Sequence, residues 1–269
     1  MNWIVGIALV AFAIYFVFFR KPKSNEIVIR VETTIAHNAP EIDSYEGGDE
    51  EKDNWERFDF YSAKMLPAKG RYRIDYEDQR GLKTERDIEV KRVHENAGKY
   101  AIDAHCLLRN AHRSFLGERI QKAINLDSGE IVEDLARDSI AQYNDSGEGI
   151  ALAAIDKEWM GIAVLVFVCR ADGQMRKEER AIVAEYLKRH CPDMSLDDME
   201  LDSAIKAIGE PDHREYKRII RDLKTAGDRA RLSDLLDCAK RIVGTQKTIA
   251  PMEKAALEIL TEAIHEPAV

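Results

Sequence analysis

The chain has 269 residues, of which 45% are hydrophobic and 33% charged, and its formal net charge is −9. This much apolar material can fill one or two cores, which excludes a chain that is disordered throughout. The negative charge excludes a surface coated with cations for bulk DNA binding. The four cysteines are scattered and form no C-x-x-C pair, which argues against a zinc knuckle or a disulfide framework.

An unbroken apolar run over residues 3–19 opens the chain, and Arg20 and Lys21 follow it directly. The run has the length of a short membrane span. No basic residue precedes it and no small-residue cleavage site follows it, so a retained transmembrane anchor over 1–23 is favoured over a cleaved signal peptide. The cations that follow predict a single-pass membrane protein with its N-terminus outside and its other domains in the cytoplasm. The alternative is a buried core helix.

Residues 24–69 are predicted to form a strand and then an acidic linker. Residues 20–36 contain an alternating, β-branched run that is typical of a strand. Between residues 38 and 59, nine acidic side chains face two basic ones, and two adjacent glycines lie among them. This composition predicts a solvated linker, with an acidic interaction motif as the alternative.

Residues 70–140 are predicted to form a small β-barrel. Short β-rich runs alternate there with turn signals, for example at 78–81 and 95–98. Four or five short strands joined by tight turns are typical of such a barrel. Over residues 71–120, eleven basic side chains face nine acidic ones, which is a positive balance in an otherwise acidic chain.

Three arginines of this segment are candidate anion ligands. Arg86, Arg113 and Arg119 lie on different predicted strands or strand ends, so their guanidinium groups converge only if the barrel folds. Guanidinium binds phosphate or carboxylate through two hydrogen bonds of fixed geometry. Phe115 or Tyr76 offers a ring on which a base could stack. The alternative is a solvated surface on which the arginines pair with neighbouring glutamates.

The same residues resemble the WYL domain, a Sm-like β-barrel of bacterial regulators and defence proteins. The matching pieces are Ile74-x-Tyr76-x-Asp78, then Gly81 and Arg86, and finally Cys106-x6-Arg113-x-Phe115-x3-Arg119-Ile120. The triplet that names the family reads Tyr100-Ala101-Ile102 here. The resemblance implies an Sm/SH3-like barrel that senses a nucleotide or single-stranded nucleic acid. It implies Arg86, Arg113 and Arg119 as anion contacts, and it implies no enzyme chemistry.

The last part of the chain, residues 151–266, is predicted to be an all-α bundle. Apolar periodicity and capping residues mark six helices joined by short loops. The predicted helices span 159–169, 176–190, 195–207, 211–225, 228–243 and 251–265. A capping box of Ser195 and Asp198 is expected at the start of the third, and Pro211 at the first position of the fourth.

An acidic constellation lies at the second of these helices. Asp172 and Gly173 form a turn signal, and Glu179 follows in the first helical turn, so the two carboxylates could meet and hold a hard cation such as calcium or magnesium. The alternative is a plain turn between helices, with acidic residues that favour the helix N-terminus.

Two stretches of the bundle resemble the halves of a tellurite-resistance TerB-like helical domain. The first is LVFVCRADGQMRKEERAIVAEYLKRH and the second, related to it internally, is GTQKTIAPMEKAALEILTEAI. In the second stretch Gln246 and Lys247 replace the Asp-Gly pair, and Glu253 remains. The resemblance implies a divalent-cation site that includes Asp172, Glu179 and Glu253.

No motif in the sequence predicts an enzyme. There is no P-loop, G-x-G-x-x-G, H-E-x-x-H or G-x-S-x-G segment.

We therefore expect a non-enzymatic, membrane-anchored sensor or scaffold with no required cofactor. Its barrel is expected to bind a nucleotide or single-stranded nucleic acid, and its bundle is expected to bind protein partners. Self-association through the anchor is a further expectation. The family resemblances suggest a bacterial protein, anchored in the inner membrane, that acts in a stress response against tellurite or phage. The alternative is a metal-binding adaptor with a purely structural barrel.

Overall fold

A computed structural model of the chain describes residues 58–60 and 62–265. These residues fall into two compact units. The sheet unit runs to Ala153 and includes Ser195–Glu200, and the helical unit comprises Ala154–Met194 and the residues from Leu201 onward. The predicted anchor over 1–23, and the strand predicted within 20–36, lie outside the described residues.

One antiparallel sheet of six strands forms the framework of the sheet unit, in the order β4-β3-β2-β1-β5-β6. The strands are β1 (Lys64–Glu77), β2 (Lys83–Asn96), β3 (Lys99–Cys106), β4 (Ala111–Leu116), β5 (Ile120–Asn125) and β6 (Ile131–Val132). A short 3-10 turn, Gly117–Arg119, joins β4 to β5. Neighbours in the sheet are also neighbours in sequence, except that β1 pairs with β5.

Eight helices follow the sheet within the described part of the chain. They are α1 (Leu135–Asn144), α2 (Gly147–Lys157), α3 (Trp159–Arg170), α4 (Lys177–His190), α5 (Asp198–Ala207), α6 (His213–Thr225), α7 (Arg229–Val243) and α8 (Pro251–His265). Helices α3 to α8 occupy the six segments in which helices are predicted. Helices α1 and α2 are not predicted, because both are short and α1 continues directly from the β-rich segment.

Alternate residues of the strands build the core of the sheet unit, as the period of two in a strand requires. In β1 the buried residues include Tyr72 and Ile74. Helix α1 covers this part of the sheet, and the Tyr72 hydroxyl donates a hydrogen bond to Asp138 Oδ2 at 2.7 Å. Burial, followed by the carboxylate of Asp138, raises the pKa of Tyr72 well above its ordinary value. The phenol is therefore a permanent donor that fixes α1 to the sheet.

The predicted closed barrel is wrong. Among the described strands, β4 pairs only with β3 and β6 pairs only with β5, so the sheet has two open edges. The fold is mixed, with a six-stranded antiparallel sheet followed by eight helices. Turn signals locate hairpins because those signals are local, whereas closure depends on pairing between distant strands, for which the sequence carries no local signal.

The sheet is nevertheless strongly curved. Two strands lie between β1 and β4 in the sheet, yet the ring of Tyr76 in β1 meets that of Phe115 in β4 edge to face, with centroids 5.2 Å apart. The curvature therefore brings the end of β1 close to β4 across the inner face.

In the helical unit, α3 is central. All of its residues from Gly161 to Cys169 are buried, as expected for an apolar helix of a globular core. Aspartate side chains cap the N-termini of two of the surrounding helices, Asp212 that of α6 and Asp228 that of α7. Asp197, and not the predicted Ser195, accepts the first backbone N–H groups of α5.

The prediction of a single-pass inner-membrane protein is not supported, and we withdraw it. No helix within residues 58–60 and 62–265 is long and apolar enough to cross a bilayer. The apolar run over 3–19, on which the prediction rested, is outside the described residues.

Candidate functional site

The end of β1 organises the candidate anion site. Tyr76 pairs with Thr84 of β2 on one side and with Ile120 of β5 on the other, and its ring touches Phe115 of β4. Each of the three predicted arginines is close in sequence to one of these contact residues. Arg86 is two residues from Thr84, Arg113 is two residues from Phe115, and Arg119 directly precedes Ile120. The fold therefore gathers the three arginine-bearing segments around one tyrosine.

Arg86 lies on the inner face of β2, on the same side as the fully buried Ile88. Its Nε donates to Thr84 Oγ1 at 3.1 Å, and its Nη1 is buried without a hydrogen-bond partner among the described residues. It forms no ion pair with any described carboxylate. A partly buried guanidinium of this kind has unused donors and an unbalanced charge, both of which an anion would satisfy.

The outer face of the same strands shows the opposite arrangement. Arg73 of β1 donates to both carboxylate oxygens of Asp87, at 2.7 and 2.9 Å, and lies 3.6 Å from Glu85. The guanidinium of Arg73 holds the pKa of Asp87 below its ordinary value. Neighbouring arginines of one sheet therefore differ: Arg73 is paired with a carboxylate, whereas Arg86 has no ion-pair partner among the described residues.

The other two arginines belong to segments that contact Tyr76 through neighbouring residues. Arg113 is two residues from Phe115 in β4 and therefore shares its inner face, and Arg119 ends the 3-10 turn directly before Ile120. Both have contacts within the protein. The segments that carry them meet Tyr76 through Phe115 and Ile120, and convergence of the three guanidinium groups stays a prediction.

Phe115 is not exposed in the way that a ring on which a base stacks would have to be. Only 4% of its surface is exposed, and it packs in the core of the sheet unit against the Tyr76 ring. The sequence could not separate these roles, since an aromatic residue on a strand is equally suited to a core and to a ligand. A base cannot stack on Phe115 without displacing Tyr76.

A polar cluster on the outer face was not predicted. Asp103 of β3 accepts a hydrogen bond from Ser114 of β4 and is 2.7 Å from Nε2 of His94 in β2. The three residue types are those of a hydrolase triad, but the carboxylate lies between the histidine and the serine. The imidazole does not contact the hydroxyl, so it cannot remove its proton, and the cluster is a link across three strands.

This cluster gives the sheet unit a defined acid sensitivity. Burial alone would raise the pKa of Asp103, but the hydrogen bonds from His94 and Ser114 outweigh it and lower the pKa below its ordinary value of 3.8. Because the pKa is lowered on folding, the ionised carboxylate stabilises the fold fully above 3.8, and this stability is lost as the pH falls through the folded value.

We expect Asp103→Asn to lower the free energy of unfolding by about 2 kcal/mol at neutral pH, from the loss of charge-assisted hydrogen bonds. Urea unfolding at a series of pH values measures the difference from wild type. The difference should shrink below about pH 4, as the Asp103 carboxylate becomes protonated first in the unfolded and then in the folded protein. A difference that stays constant down to about pH 2.5 would show that ionisation of Asp103 contributes nothing.

In the helical unit, the three residues predicted to hold a metal do come together. Glu179 and Glu253 are both completely buried, although they belong to different helices, α4 and α8. The Gln246 side-chain amide donates to Oε1 of Glu179 at 3.1 Å and to Oε1 of Glu253 at 2.8 Å. Asp172 joins the network through Arg176, which donates to Asp172 Oδ2 at 2.6 Å and to Glu179 Oε1 at 3.1 Å.

The remaining oxygens of the cluster accept backbone hydrogen bonds. Glu179 Oε2 accepts from the N–H of Arg176 at 2.7 Å, and Glu253 Oε2 accepts from that of Ala250 at 2.6 Å. Each glutamate thus closes the first turn of its own helix, as in a capping box. The two loops repeat one arrangement, in which Gln246 stands where the first loop has Asp172.

These residues do not fit a divalent cation as they stand. All six carboxylate oxygens accept hydrogen bonds from the protein, and a guanidinium lies between Asp172 and Glu179. Calcium and magnesium need oxygens that are free to coordinate, and a cation would be repelled by Arg176. No group of three metal-ligating side chains occurs in the described part of the chain. In the structure, Arg176 and Gln246 supply the interactions that the sequence alone assigned to a metal.

Comparison of the chain with models of protein families, with curated proteins and with solved structures finds no match. The likeness to WYL and TerB domains therefore stays a prediction from the sequence motifs.

Proposed function

We propose that this chain is a non-enzymatic binding protein whose sheet unit takes the phosphate of a nucleotide or of single-stranded nucleic acid. The ligand site lies at the Tyr76 end of β1, and Arg86 is its principal contact. The observation that carries the proposal is the partly buried guanidinium of Arg86, whose Nη1 has no partner among the described residues.

Phosphate suits this site better than a single carboxylate does. Segments that carry Arg113 and Arg119 meet Tyr76 through Phe115 and Ile120, so three arginine-bearing segments come together near one residue. A phosphate has more acceptor oxygens and more charge than a carboxylate, and guanidinium groups match its geometry. Because Phe115 is buried in the core, contacts with phosphate should contribute more to binding than stacking on a base.

The helical unit would carry the second half of such a sensor, namely the contact with protein partners. By family resemblance alone, the pairing of the two units suggests a bacterial response to stress, such as tellurite exposure or phage attack. A metal-dependent adaptor is the weaker candidate, because Arg176 and Gln246 already satisfy the acidic cluster.

Arg86→Ala is expected to weaken the binding of a fluorescently labelled single-stranded oligonucleotide at least tenfold, since charge-assisted hydrogen bonds of about 1.5–3 kcal/mol are lost. The measurement is fluorescence anisotropy of the full chain at several salt concentrations. The slope of log affinity against log salt should fall by about 0.7, the contribution of one phosphate contact to a single strand. An unlabelled mononucleotide as competitor tests whether one phosphate is enough.

Arg73→Ala is the matched control, because it removes an arginine from the neighbouring strand that is already paired with Asp87. Its affinity and salt slope should equal those of wild type. Equal losses in both variants would mean that binding depends on general charge, and an unchanged Arg86→Ala variant would remove the site from the binding role. Circular dichroism of both variants confirms that the fold is kept.

A further inference from the structure

Helix α6 has two sharply different sides. Its inward side consists of Tyr216, Ile219, Ile220 and Leu223, none of which is more than 3% exposed. These residues recur at the helical spacing of three and four, so one face of α6 is fully used by the core of the helical unit.

The outward side of α6 is a line of cations, here called the basic stripe. Its members are Arg214, Lys217, Arg221 and Lys224. They follow one another at intervals of three, four and three residues, which places them on one face of a helix. Arg218 lies beside the stripe, so five of the thirteen residues of α6 are basic in a chain whose net charge is −9.

The protein neutralises little of the charge on Arg214, Lys217 and Arg221, whereas Lys224 has a contact within the protein. Arg218 is 3.8 Å from Glu215 and 3.6 Å from Asp222, and Arg221 is 3.9 Å from Asp222, with both arginines well exposed. Such exposed pairs have little effect on stability. Arg214 and Lys217 form no ion pair within the described part of the chain. The stripe therefore presents a local positive field to solvent.

The length of the stripe matches a chain of phosphates. Ten residues separate its first and last members, which is about 15 Å along a helix. One strand of a nucleic acid in helical form carries a phosphate about every 3.4 Å, so this length covers about four phosphates. The cations of the stripe are therefore comparable in number to the phosphates that one strand carries along this length of helix axis.

A membrane surface fits these observations less well. Helices that bind at a bilayer surface bury an apolar face among the lipids, whereas the apolar face of α6 is already in the protein core. The stripe contains no aromatic or aliphatic side chain that could insert. Glu215 and Asp222 flank it on one side, so it is a narrow line of charge and not a broad basic patch.

We propose that the basic stripe of α6 is a second nucleic-acid contact, one that binds the phosphate backbone without regard to sequence. It acts independently of the sheet site, because its cations belong to a different unit and need no ligand at Arg86. Its absence of stacking side chains means that it adds affinity and salt dependence but no base preference.

The test is the double charge reversal Lys217→Glu/Arg221→Glu in the full chain. Anisotropy with a labelled oligonucleotide, single-stranded and as a duplex, should show at least a tenfold loss of affinity at low salt. The salt slope for the single strand should fall by about 1.4, the contribution of two phosphate contacts. The matched control is Lys188→Glu/Lys254→Glu, which makes the same charge change on α4 and α8 and should have a much smaller effect.

Three results would overturn the proposal. One is an unchanged affinity in the stripe variant, and another is an equal loss in the control variant. The third is that the stripe variant loses binding to phosphatidylserine vesicles or to polyglutamate while oligonucleotide binding persists, which would assign the stripe to a lipid surface or an acidic polypeptide. Loss of oligonucleotide binding in Arg86→Ala alone would support the sheet site and reject the stripe, and loss in the stripe variant alone would do the reverse.

Discussion

Replacing Arg176 with methionine should lower the free energy of unfolding by more than the loss of an exposed ion pair does, because it leaves the completely buried carboxylate of Glu179 without its cation. The same substitution removes the guanidinium that holds the pKa of Asp172 below its ordinary value against the opposing effect of burial. Urea unfolding, followed by far-ultraviolet circular dichroism, measures the change. The wild-type curve should be the same in calcium as in a chelator, since the cluster has no free oxygens.

Arg241→Met provides the matched control for this prediction. The two arginines are similarly exposed, 36% for Arg176 and 41% for Arg241, but the partner of Arg241 is Glu185, which is 50% exposed. A surface pair of this kind contributes about 0–1 kcal/mol. The variant Arg176→Met/Glu179→Gln should recover part of the loss, because it removes the uncompensated charge. Equal effects of the two single substitutions would mean that the buried acid does not depend on Arg176.

Gly70→Ala should destabilise the sheet unit by about 3 kcal/mol, since strain and overpacking act together. Gly70 has φ +132°, a conformation that L residues rarely adopt, and it lies where the register between β1 and β2 shifts. A Cβ there would be 2.7 Å from the Tyr72 ring and 2.8 Å from Gln142 Oε1. The added methyl group would therefore push on the contacts that fix α1 to the sheet.

Gly98→Ala is a suitable comparison, because Gly98 also has a positive φ, +78°, but nothing lies within 4 Å of the position of its Cβ. It should show the conformational cost alone, about 1 kcal/mol. Thermal unfolding of the two variants separates strain from crowding. If Gly70→Ala is no worse than Gly98→Ala, the close packing around Tyr72 is not important for stability.

The parts of the fold that were predictable depend on short-range patterns. The boundaries of α4, α7 and α8 follow from apolar spacing and from capping groups within a few residues of each helix end. The open sheet depends on pairing between distant strands, and α1 is stable because it packs on Tyr72 of β1. Neither effect has a signature in the residues of the segment itself.

The candidate sites show the same division. Because side chains alternate between the two faces of a strand, the sequence can place Arg86 on the inner face and Arg73 on the outer face. Only the register between β1 and β2 shows that Asp87 neutralises Arg73. Spacing indicated that Asp172 and Glu179 could meet, and the resemblance to a TerB-like domain added Glu253. The sequence could not show that Arg176 and Gln246 would lie between these acidic residues, because a hydrogen-bond donor and a metal ion can satisfy the same carboxylates.

The amide of Gln246 ties together two loops that each begin a helix, and this has a consequence for local opening. Neither glutamate can move to solvent without giving up the shared donor, so the starts of α4 and α8 should open in one event. The backbone amides of Arg176 and Ala250 should then exchange with deuterium at similar rates in the native state. In Gln246→Ala the two rates should separate, which would show that a single side chain makes two distant turns one cooperative element.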